Sequence, residues 1–311
     1  VPKLFRLIKE EKKTLEMFDQ NAYPEVDSIM RDVDKYDLYK HLVDLQAYGL
    51  TVVPPEKMQF GDTFVQRLRD ALVRACEKRN GIRIDDYRTS TATWGQTMTK
   101  SWDLFEEDDV FAEAAVNPVS LTLVRWLLGQ SATLGGQTWI IKGQNDIGVE
   151  RLHSDAHGVP SGGGLIQHQC NASILATDYN GPEDGPTIFV PGSHHYGRGT
   201  HPHEENPETT PYKVVPVIGK AGSLAIWGGG TWHAAAKRTA PGLRLTLVQH
   251  YFRTYMRPQM DYEKATPAHL YEQFPDLERV IGKPLHPFQD TRQADLERAK
   301  LMANAGTDPF A

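Results

Sequence analysis

The segment SLAIWGGGTWHAAAKRTAPGLRLTLVQHYFRTY, residues 223–255, contains two runs of β-forming residues separated by turn residues. The first run covers residues 223–227 and ends at three glycines, and the second covers residues 243–255. From about Thr133 onward the chain repeats this texture, with Gly, Pro, Asn and Asp between short alternating runs. The other runs lie at residues 138–142, 165–179, 187–190 and 212–218. Many short strands with turns between them favour a sandwich or a barrel over a parallel βαβ sheet.

The first third of the chain has helical periodicity instead. Leu38, Leu42 and Leu45 are spaced for one helix, which Gly49 should end. A second predicted helix starts at Phe64 and ends at Asn80-Gly81, and a third starts at the cap Asn117-Pro118. Helical periodicity returns at residues 291–305. We therefore predict one domain over residues 1–311, with a helical part (1–130), a β core (131–258) and a C-terminal helical extension (259–311).

The composition is that of an ordinary globular protein, with 40% hydrophobic and 24% charged residues. The net charge of -6 and the absence of a basic stripe argue against a nucleic-acid partner. No apolar run approaches the roughly 20 residues of a membrane span. The two cysteines, Cys76 and Cys170, do not imply a disulfide framework. These features predict a cytoplasmic protein without a nucleic-acid or membrane partner, and they leave its oligomeric state open.

The segment His153-Ser154-Asp155 is the first candidate for chemistry. On a strand, residues two apart point to the same side, so His153 and Asp155 would converge. One imidazole and one carboxylate are two corners of a facial metal triad, which a second histidine completes. His233, delivered by the turn Gly228-Gly229-Gly230, is the candidate for that third corner. His157 is an alternative ligand through the pattern Asp155-x-His157.

Arg244 follows His233 by eleven residues and opens a predicted strand. An arginine there, on the same face as Thr246 and Val248, would be an inward-facing charge without an evident role. It is explained if an anionic cosubstrate binds beside the metal, because a guanidinium pairs with a carboxylate through two charge-assisted hydrogen bonds.

Together these residues resemble the phytanoyl-CoA dioxygenase-like branch of the iron(II)- and 2-oxoglutarate-dependent oxygenases. The resemblance covers roughly residues 47–256 and is most specific between Leu152 and Arg244. The matching pieces are His153-Ser154-Asp155, Asn180-Gly181-Pro182, Pro191-Gly192-Ser193-His194, His233 with Arg244, and Lys142.

The resemblance implies a mainly β fold with flanking α-helices, in which the core is a double-stranded β-helix, or jelly roll, of the cupin-like type. It implies iron(II) on His153, Asp155 and His233, with 2-oxoglutarate and O2 as cosubstrates. The distal carboxylate of 2-oxoglutarate would pair with Arg244, with Thr246 and Lys142 as further binding residues. Relatives often carry a hydroxyl residue two positions after the distal histidine, whereas this chain has Ala235.

The same resemblance implies hydroxylation of a C–H bond, with release of succinate and CO2. Desaturation, cyclisation and epimerisation remain open as outcomes. Halogenating relatives replace the metal carboxylate by a small residue, so Asp155 argues against halogenation. Two other classes remain as alternatives: a cupin-type metalloenzyme that does not use 2-oxoglutarate, and a non-catalytic binding module.

For several residues near the expected site, the sequence is consistent with two different roles. Trp139, Ile141 and Trp227 either fill a core or line the substrate pocket. The polar set Gln167, Gln169, Asn171 and Ser173 forms either an outer face or a cavity wall. Structural roles are expected for four further histidines and a covering or connecting role for two loops. These are His168, His194, His195 and His250, and residues 159–164 and 192–211.

Overall fold

The structure is a computed structural model and describes residues 24–146, 151–156, 159 and 166–283. The predicted helix at 291–305 and the alternative ligand His157 lie outside those residues. Within the described ranges, no helix has both the length and the apolar character needed to cross a bilayer.

Helices surround the sheet and dominate the N-terminal part, as predicted. The helices are α1 (Pro24–Tyr36), α2 (Tyr39–Tyr48), α3 (Phe64–Asn80), α4 (Trp94–Thr97), α5 (Val110–Ala115), α6 (Pro118–Leu128), α7 (Tyr262–Ala265), α8 (Ala268–Gln273) and α9 (Leu277–Val280). Gly49 and Gly81 end α2 and α3 with φ of 80° and 65°, a conformation that favours glycine. The Asn117 side chain caps α6 by accepting the Ser120 backbone N–H at 2.9 Å.

Within the described residues, eight strands form two antiparallel sheets. The strands are β1 (Leu50–Val53), β2 (Thr133–Lys142), β3 (Gln169–Leu175), β4 (Thr187–Phe189), β5 (Val215–Pro216), β6 (Leu224–Gly228), β7 (His233–Ala235) and β8 (Arg244–Phe252). The major sheet has the order β1-β6-β3-β8-β2 and the minor sheet the order β5-β4-β7. This arrangement is the core of a jelly roll, so the predicted fold class is confirmed.

The two faces of the major sheet are buried against different parts of the protein. One face packs on the helices, and Ile174 and Leu247 belong to this large cluster together with Leu72 and Val124. The other face meets the minor sheet in a small inner cluster. Its members are Leu175, Tyr179, Phe189, Val217, Ala225 and Trp227. Because strand residues alternate between faces, every second residue of β3, β6 and β8 points into the space between the sheets.

The N-terminal part also contains a strand that the sequence did not predict, because β1 pairs with β6 from Leu50↔Trp227 to Val53↔Leu224. The four residues Leu-Thr-Val-Val that follow Gly49 are too few to show a period of their own, so the sequence does not separate them from the preceding helix. Of the run predicted at 165–179, the structure describes residues 166–179, and the strand within them covers Gln169–Leu175. The division of the chain at residues 130 and 258 stays a prediction.

Candidate metal centre and cosubstrate pocket

His153, Asp155 and His233 converge at one end of the space between the sheets. Each offers one ligand atom, and these atoms lie within 4.8 Å of one another. Asp155 Oδ1 is 3.5 Å from His153 Nε2, and Asp155 Oδ2 is 3.4 Å from His233 Nε2. Within the described part of the chain, this is the one cluster of three such groups. The His153 side chain is 32% exposed, so the cluster is open on one side.

Backbone hydrogen bonds bring the three ligands together. His153 and His233 form an isolated antiparallel bridge, with N–H···O distances of 3.0 and 2.9 Å. Asp155 lies two residues further along the chain, and its N–H donates to the Gly229 carbonyl at 2.9 Å. His153 and Asp155 were expected on a regular strand, and this expectation was wrong. A bridge followed by a bend produces the convergence instead, and the Ser154 hydroxyl also binds Gly229 O, at 3.1 Å.

The glycine turn before His233 allows a close approach between segments. A Cβ on Gly229 would lie 2.4 Å from Gln169 Cγ, and one on Gly228 would lie 2.3 Å from Gln167 Oε1. Neither glycine has a positive φ. A side chain at Gly229 would therefore block the contact between the turn and β3, whereas at Gly228 the flexible Gln167 side chain would have to move.

Both imidazoles are oriented by backbone carbonyls. His153 Nδ1 lies 2.8 Å from Arg151 O, and His233 Nδ1 lies 3.0 Å from Thr231 O. A carbonyl oxygen only accepts, so Nδ1 carries the hydrogen in both rings and Nε2 keeps its lone pair for a metal. Burial alone would raise the pKa of Asp155, but His233 and His153 outweigh it and hold that pKa well below its usual range. The carboxylate is thus ionised and available as a ligand.

A chain of side chains from β3 and β8 supports Asp155. Asn171 Nδ2 donates to Asp155 Oδ2 at 2.5 Å, and His250 Nδ1 donates to Asn171 Oδ1 at 2.6 Å. Gln169 Nε2 also donates to the Asp155 backbone carbonyl. Burial lowers the pKa of His250 to about 4, so the ring is neutral at physiological pH. The polar residues of β3, Gln169, Asn171 and Ser173, therefore form a cavity wall. The sequence did not indicate that His250 supports the site.

Buried cations lie deeper between the sheets. Lys142 and Arg244 are paired across β2 and β8 and are 0% and 2% exposed. Lys142 Nζ donates to Ala236 O at 2.5 Å, and Arg244 Nη1 donates to Gly185 O. Among the described residues no carboxylate lies within ion-pair distance of Arg244, and its buried Nε–H has no partner. A buried guanidinium without a counter-ion fits an anionic ligand.

Among the described residues, three more polar atoms on the inner face are buried without a partner: Ser173 Oγ, Trp227 Nε1 and His250 Nε2. Trp227 also packs against the ligand His233, with ring centroids 5.2 Å apart. The arrangement therefore has a metal-binding end, a cationic end and unsatisfied hydrogen-bonding groups between. A small dicarboxylate that chelates the ion fits this donor set.

Two residues predicted for the substrate pocket do not lie there. Trp139 and Ile141 are fully buried in the helix-packed cluster, on the opposite face of the major sheet, and Trp139 Nε1 donates to Thr97 O at 2.7 Å. The cause is strand alternation, which points Lys142 inward and therefore Ile141 outward. Their assignment to a pocket was wrong, whereas Trp227 does lie beside the metal cluster.

The fold and the donor set define a jelly-roll protein with two histidines and one carboxylate on the inner face, an arrangement used by non-haem iron(II) oxygenases. The sequence model of the phytanoyl-CoA dioxygenase (PhyH) family matches residues 45–246, roughly two thirds of the chain. The chain belongs to this family. The predicted cofactors, iron(II) and 2-oxoglutarate, are confirmed by the family and by the His-Asp-His cluster.

Individual relatives are distant. The uncharacterized protein Rv1501 of Mycobacterium tuberculosis is 29% identical over 175 residues, 53% of this chain and 60% of that protein. The match thus spans less than two thirds of the relative's length. HygX of Streptomyces hygroscopicus, solved with nickel, 2-oxoglutarate and hygromycin B, has a TM-score of 0.55 and 18% identity over 71% of this chain and 89% of HygX. The α-ketoglutarate-dependent epimerase SnoN from nogalamycin biosynthesis has a TM-score of 0.53 and 22% identity over 75% and 88%. At these identities the two structures support the fold.

Proposed function

We propose that this protein is a 2-oxoglutarate-dependent dioxygenase that oxidises a C–H bond of a small organic substrate, with hydroxylation as the outcome. The observation that carries the proposal is the convergence of the His153, Asp155 and His233 ligand atoms within 4.8 Å, on the same inner face as a buried Arg244. A metal cluster alone would fit many enzymes. The guanidinium without a carboxylate partner adds the requirement for an anionic cosubstrate.

Each residue has a separate task in this proposal. His153, Asp155 and His233 would hold iron(II), and Arg244 would neutralise the distal carboxylate of 2-oxoglutarate with help from Thr246 and Lys142. The ion and the cosubstrate would supply the activation of O2 and the oxidising power, with succinate and CO2 as the co-products. The inner apolar cluster excludes water from the pocket.

The substrate is proposed to be a free acid or a specialised metabolite. No convincing basic patch in the sequence suits a coenzyme A thioester. HygX was solved with hygromycin B, and SnoN is an epimerase, so epimerisation and related outcomes of the same cofactors stay as the second candidate. Cytoplasmic location and the absence of a nucleic-acid partner stay predictions.

The proposal predicts succinate formation that requires iron(II), O2 and 2-oxoglutarate together. His153→Ala, Asp155→Ala and His233→Ala should each abolish it, because two ligands do not hold the ion in place. Arg244→Ala should mainly raise the KM for 2-oxoglutarate. Succinate is measured by mass spectrometry, with His269→Ala as the control, since His269 is an exposed histidine paired with Asp109 far from the cluster in sequence.

The alternatives give different results in the same assay. A cupin-type enzyme independent of 2-oxoglutarate would consume O2 with no cosubstrate added. A binding module would bind metal but form no succinate. Unchanged turnover in His233→Ala would show that the assigned triad is wrong.

A further inference from the structure

Ala235 places a methyl group, and no hydroxyl, at the edge of the proposed cosubstrate pocket. Ala235 lies two residues after His233 on β7 and is paired with Thr187 of β4. The next carbonyl, of Ala236, accepts from Lys142 Nζ, so this part of β7 borders the cationic end of the pocket. A methyl group at 235 cannot donate a hydrogen bond, and any hydroxyl must come from another element.

Tyr179 brings a hydroxyl to the same place from the connection after β3. Its backbone forms an antiparallel bridge with Gly219, with N–H···O distances of 2.8 and 3.0 Å, so its position is fixed. The side chain is 2% exposed and belongs to the inner cluster. The Arg244 guanidinium lies over its ring, 5.3 Å from the ring centroid. The phenol and the predicted carboxylate clamp therefore share one pocket.

The hydroxyl of Tyr179 is hydrogen bonded to the Thr246 hydroxyl on β8. Within the part of the chain that the structure describes, neither oxygen has a second partner. Two hydroxyl groups carry two hydrogens, and their mutual bond uses one of them. One O–H is therefore left to donate, beside an Arg244 Nε–H that is also buried without a partner. Two unsatisfied donors at a buried cation suit a carboxylate.

We propose that the Tyr179 hydroxyl, supported by Thr246, binds the distal carboxylate of 2-oxoglutarate together with Arg244 and replaces the hydroxyl that is missing at Ala235. This inference rests on the proposed function, because it takes 2-oxoglutarate as the occupant of the pocket. It assigns a cosubstrate-binding role to a tyrosine that sequence spacing did not single out.

The test is a calorimetric titration of 2-oxoglutarate into the Mn(II)-loaded protein without O2. Tyr179→Phe keeps the ring under Arg244 and removes only the hydroxyl, so the Kd for 2-oxoglutarate should rise roughly 10- to 100-fold. 2-Oxopentanoate has the same chelating end but lacks the distal carboxylate, so its Kd should not change. In turnover, the KM for 2-oxoglutarate should rise while kcat at saturation is retained.

Two further variants separate binding from a structural role. Tyr251→Phe removes another buried tyrosine hydroxyl, bonded to Ala115 O at 3.0 Å on the helix-packed face, and should leave the 2-oxoglutarate Kd unchanged. Ala235→Ser placed in the Tyr179→Phe protein should restore much of the lost affinity. Thr246→Val should weaken 2-oxoglutarate binding in the same direction, and it provides the test if Tyr179→Phe does not fold.

The outcomes distinguish this proposal from the proposed function. If Tyr179→Phe binds 2-oxoglutarate like the wild type while Arg244→Ala loses it, the role of Tyr179 is overturned and the function stands. If Tyr179→Phe weakens 2-oxoglutarate and 2-oxopentanoate equally, the tyrosine is structural and the proposal is also overturned. If Arg244→Ala leaves 2-oxoglutarate affinity unchanged, the assignment of the cosubstrate pocket itself fails.

Discussion

Asn171 connects the proposed metal carboxylate to the interior of the major sheet. It donates to Asp155 Oδ2 and accepts from His250, whose ring stacks on Trp102 with centroids 5.3 Å apart. A carboxylate held by a fixed amide cannot rotate freely, so its oxygens are oriented before a metal arrives. Groups that orient ligands in this way typically contribute 10- to 100-fold to metal affinity.

Asn171→Ala should therefore weaken Mn(II) binding by roughly 10- to 100-fold, because Asp155 loses its fixed donor. The measurement is a metal titration followed by calorimetry. Gln249→Ala is the matched control, since Gln249 is a fully buried amide of β8 that bonds Ala114 O on the helix-packed face. An equal loss of metal affinity in both variants would contradict the assigned role of Asn171.

At the residue scale, sequence could predict the cluster but not what supports it. His153, Asp155 and His233 were accessible because metal ligands come from few residue types at characteristic spacings. Asn171 and Tyr179 were not, because their roles depend on which strands pair. Trp139 and Ile141 were misplaced because a one-residue change in strand phase moves a side chain to the opposite face.

The long connection between the 3-10 turn Ser193–Tyr196 and β5 is organised by one buried acid. Arg198 binds Glu204 through two hydrogen bonds of 2.7 and 2.9 Å, and Tyr212 Oη donates to Glu204 Oε1 at 3.0 Å. These contacts hold the Glu204 pKa down at about 2 despite burial, with the Arg198 hydrogen bonds as the largest cause. The same connection holds the segment before His153, because Thr200 Oγ1 donates to Leu152 O and the Leu152 N–H donates to Glu205 O.

Glu204→Gln should lower the free energy of unfolding by about 1 to 3 kcal/mol near neutral pH, because charge-assisted hydrogen bonds are lost. Glu204 has a lowered pKa, so its stabilisation is complete above the unfolded value near 4.5 and is lost as pH falls towards 2. The wild-type advantage over Glu204→Gln should therefore shrink over this range in urea denaturation.

Glu205→Gln is the control for that loop experiment. Glu205 pairs with Arg151, whose side chain is 83% exposed, and an exposed pair of this kind contributes little. A loss of stability as large in Glu205→Gln as in Glu204→Gln would argue against Glu204 as the organising residue.

Among the secondary-structure elements, helix ends that depend on local sequence signals were predictable. The strand β1, which depends on pairing with a distant strand, was not. The ends of α2, α3 and α6 follow from Gly49, Gly81 and the Asn117 cap, which are local signals. β1 was missed because a run of four residues, Leu-Thr-Val-Val, is too short to show a period. Its existence depends on β6, which lies more than 150 residues away in the chain.

In the whole molecule, stability and chemistry are divided between the two faces of one sheet. The helix-packed face carries the large apolar cluster, which includes Ile141 and Trp139. The inner face carries Asn171, Arg244 and Thr246, with only a small apolar cluster among them. Substitutions on the two faces should consequently have separable effects.

Ile141→Ala should reduce the free energy of unfolding by about 2 to 5 kcal/mol, because a fully buried side chain leaves a cavity. Well below its melting temperature, the variant should bind Mn(II) and 2-oxoglutarate like the wild type. Leu175→Ala, its counterpart in the inner cluster, should lower stability and weaken 2-oxoglutarate binding together. A change in cosubstrate Kd for Ile141→Ala would contradict the division of the faces.

His153, Asp155 and His233 should hold a single iron ion. This can be tested with a crystal grown without O2 in the presence of iron(II) and 2-oxoglutarate and measured at the iron absorption edge. We expect one anomalous peak within coordination distance of both Nε2 atoms and the Asp155 carboxylate, with 2-oxoglutarate extending from it towards Arg244. A peak away from these three side chains, or a peak in contact with only one of the two histidines, would contradict the account.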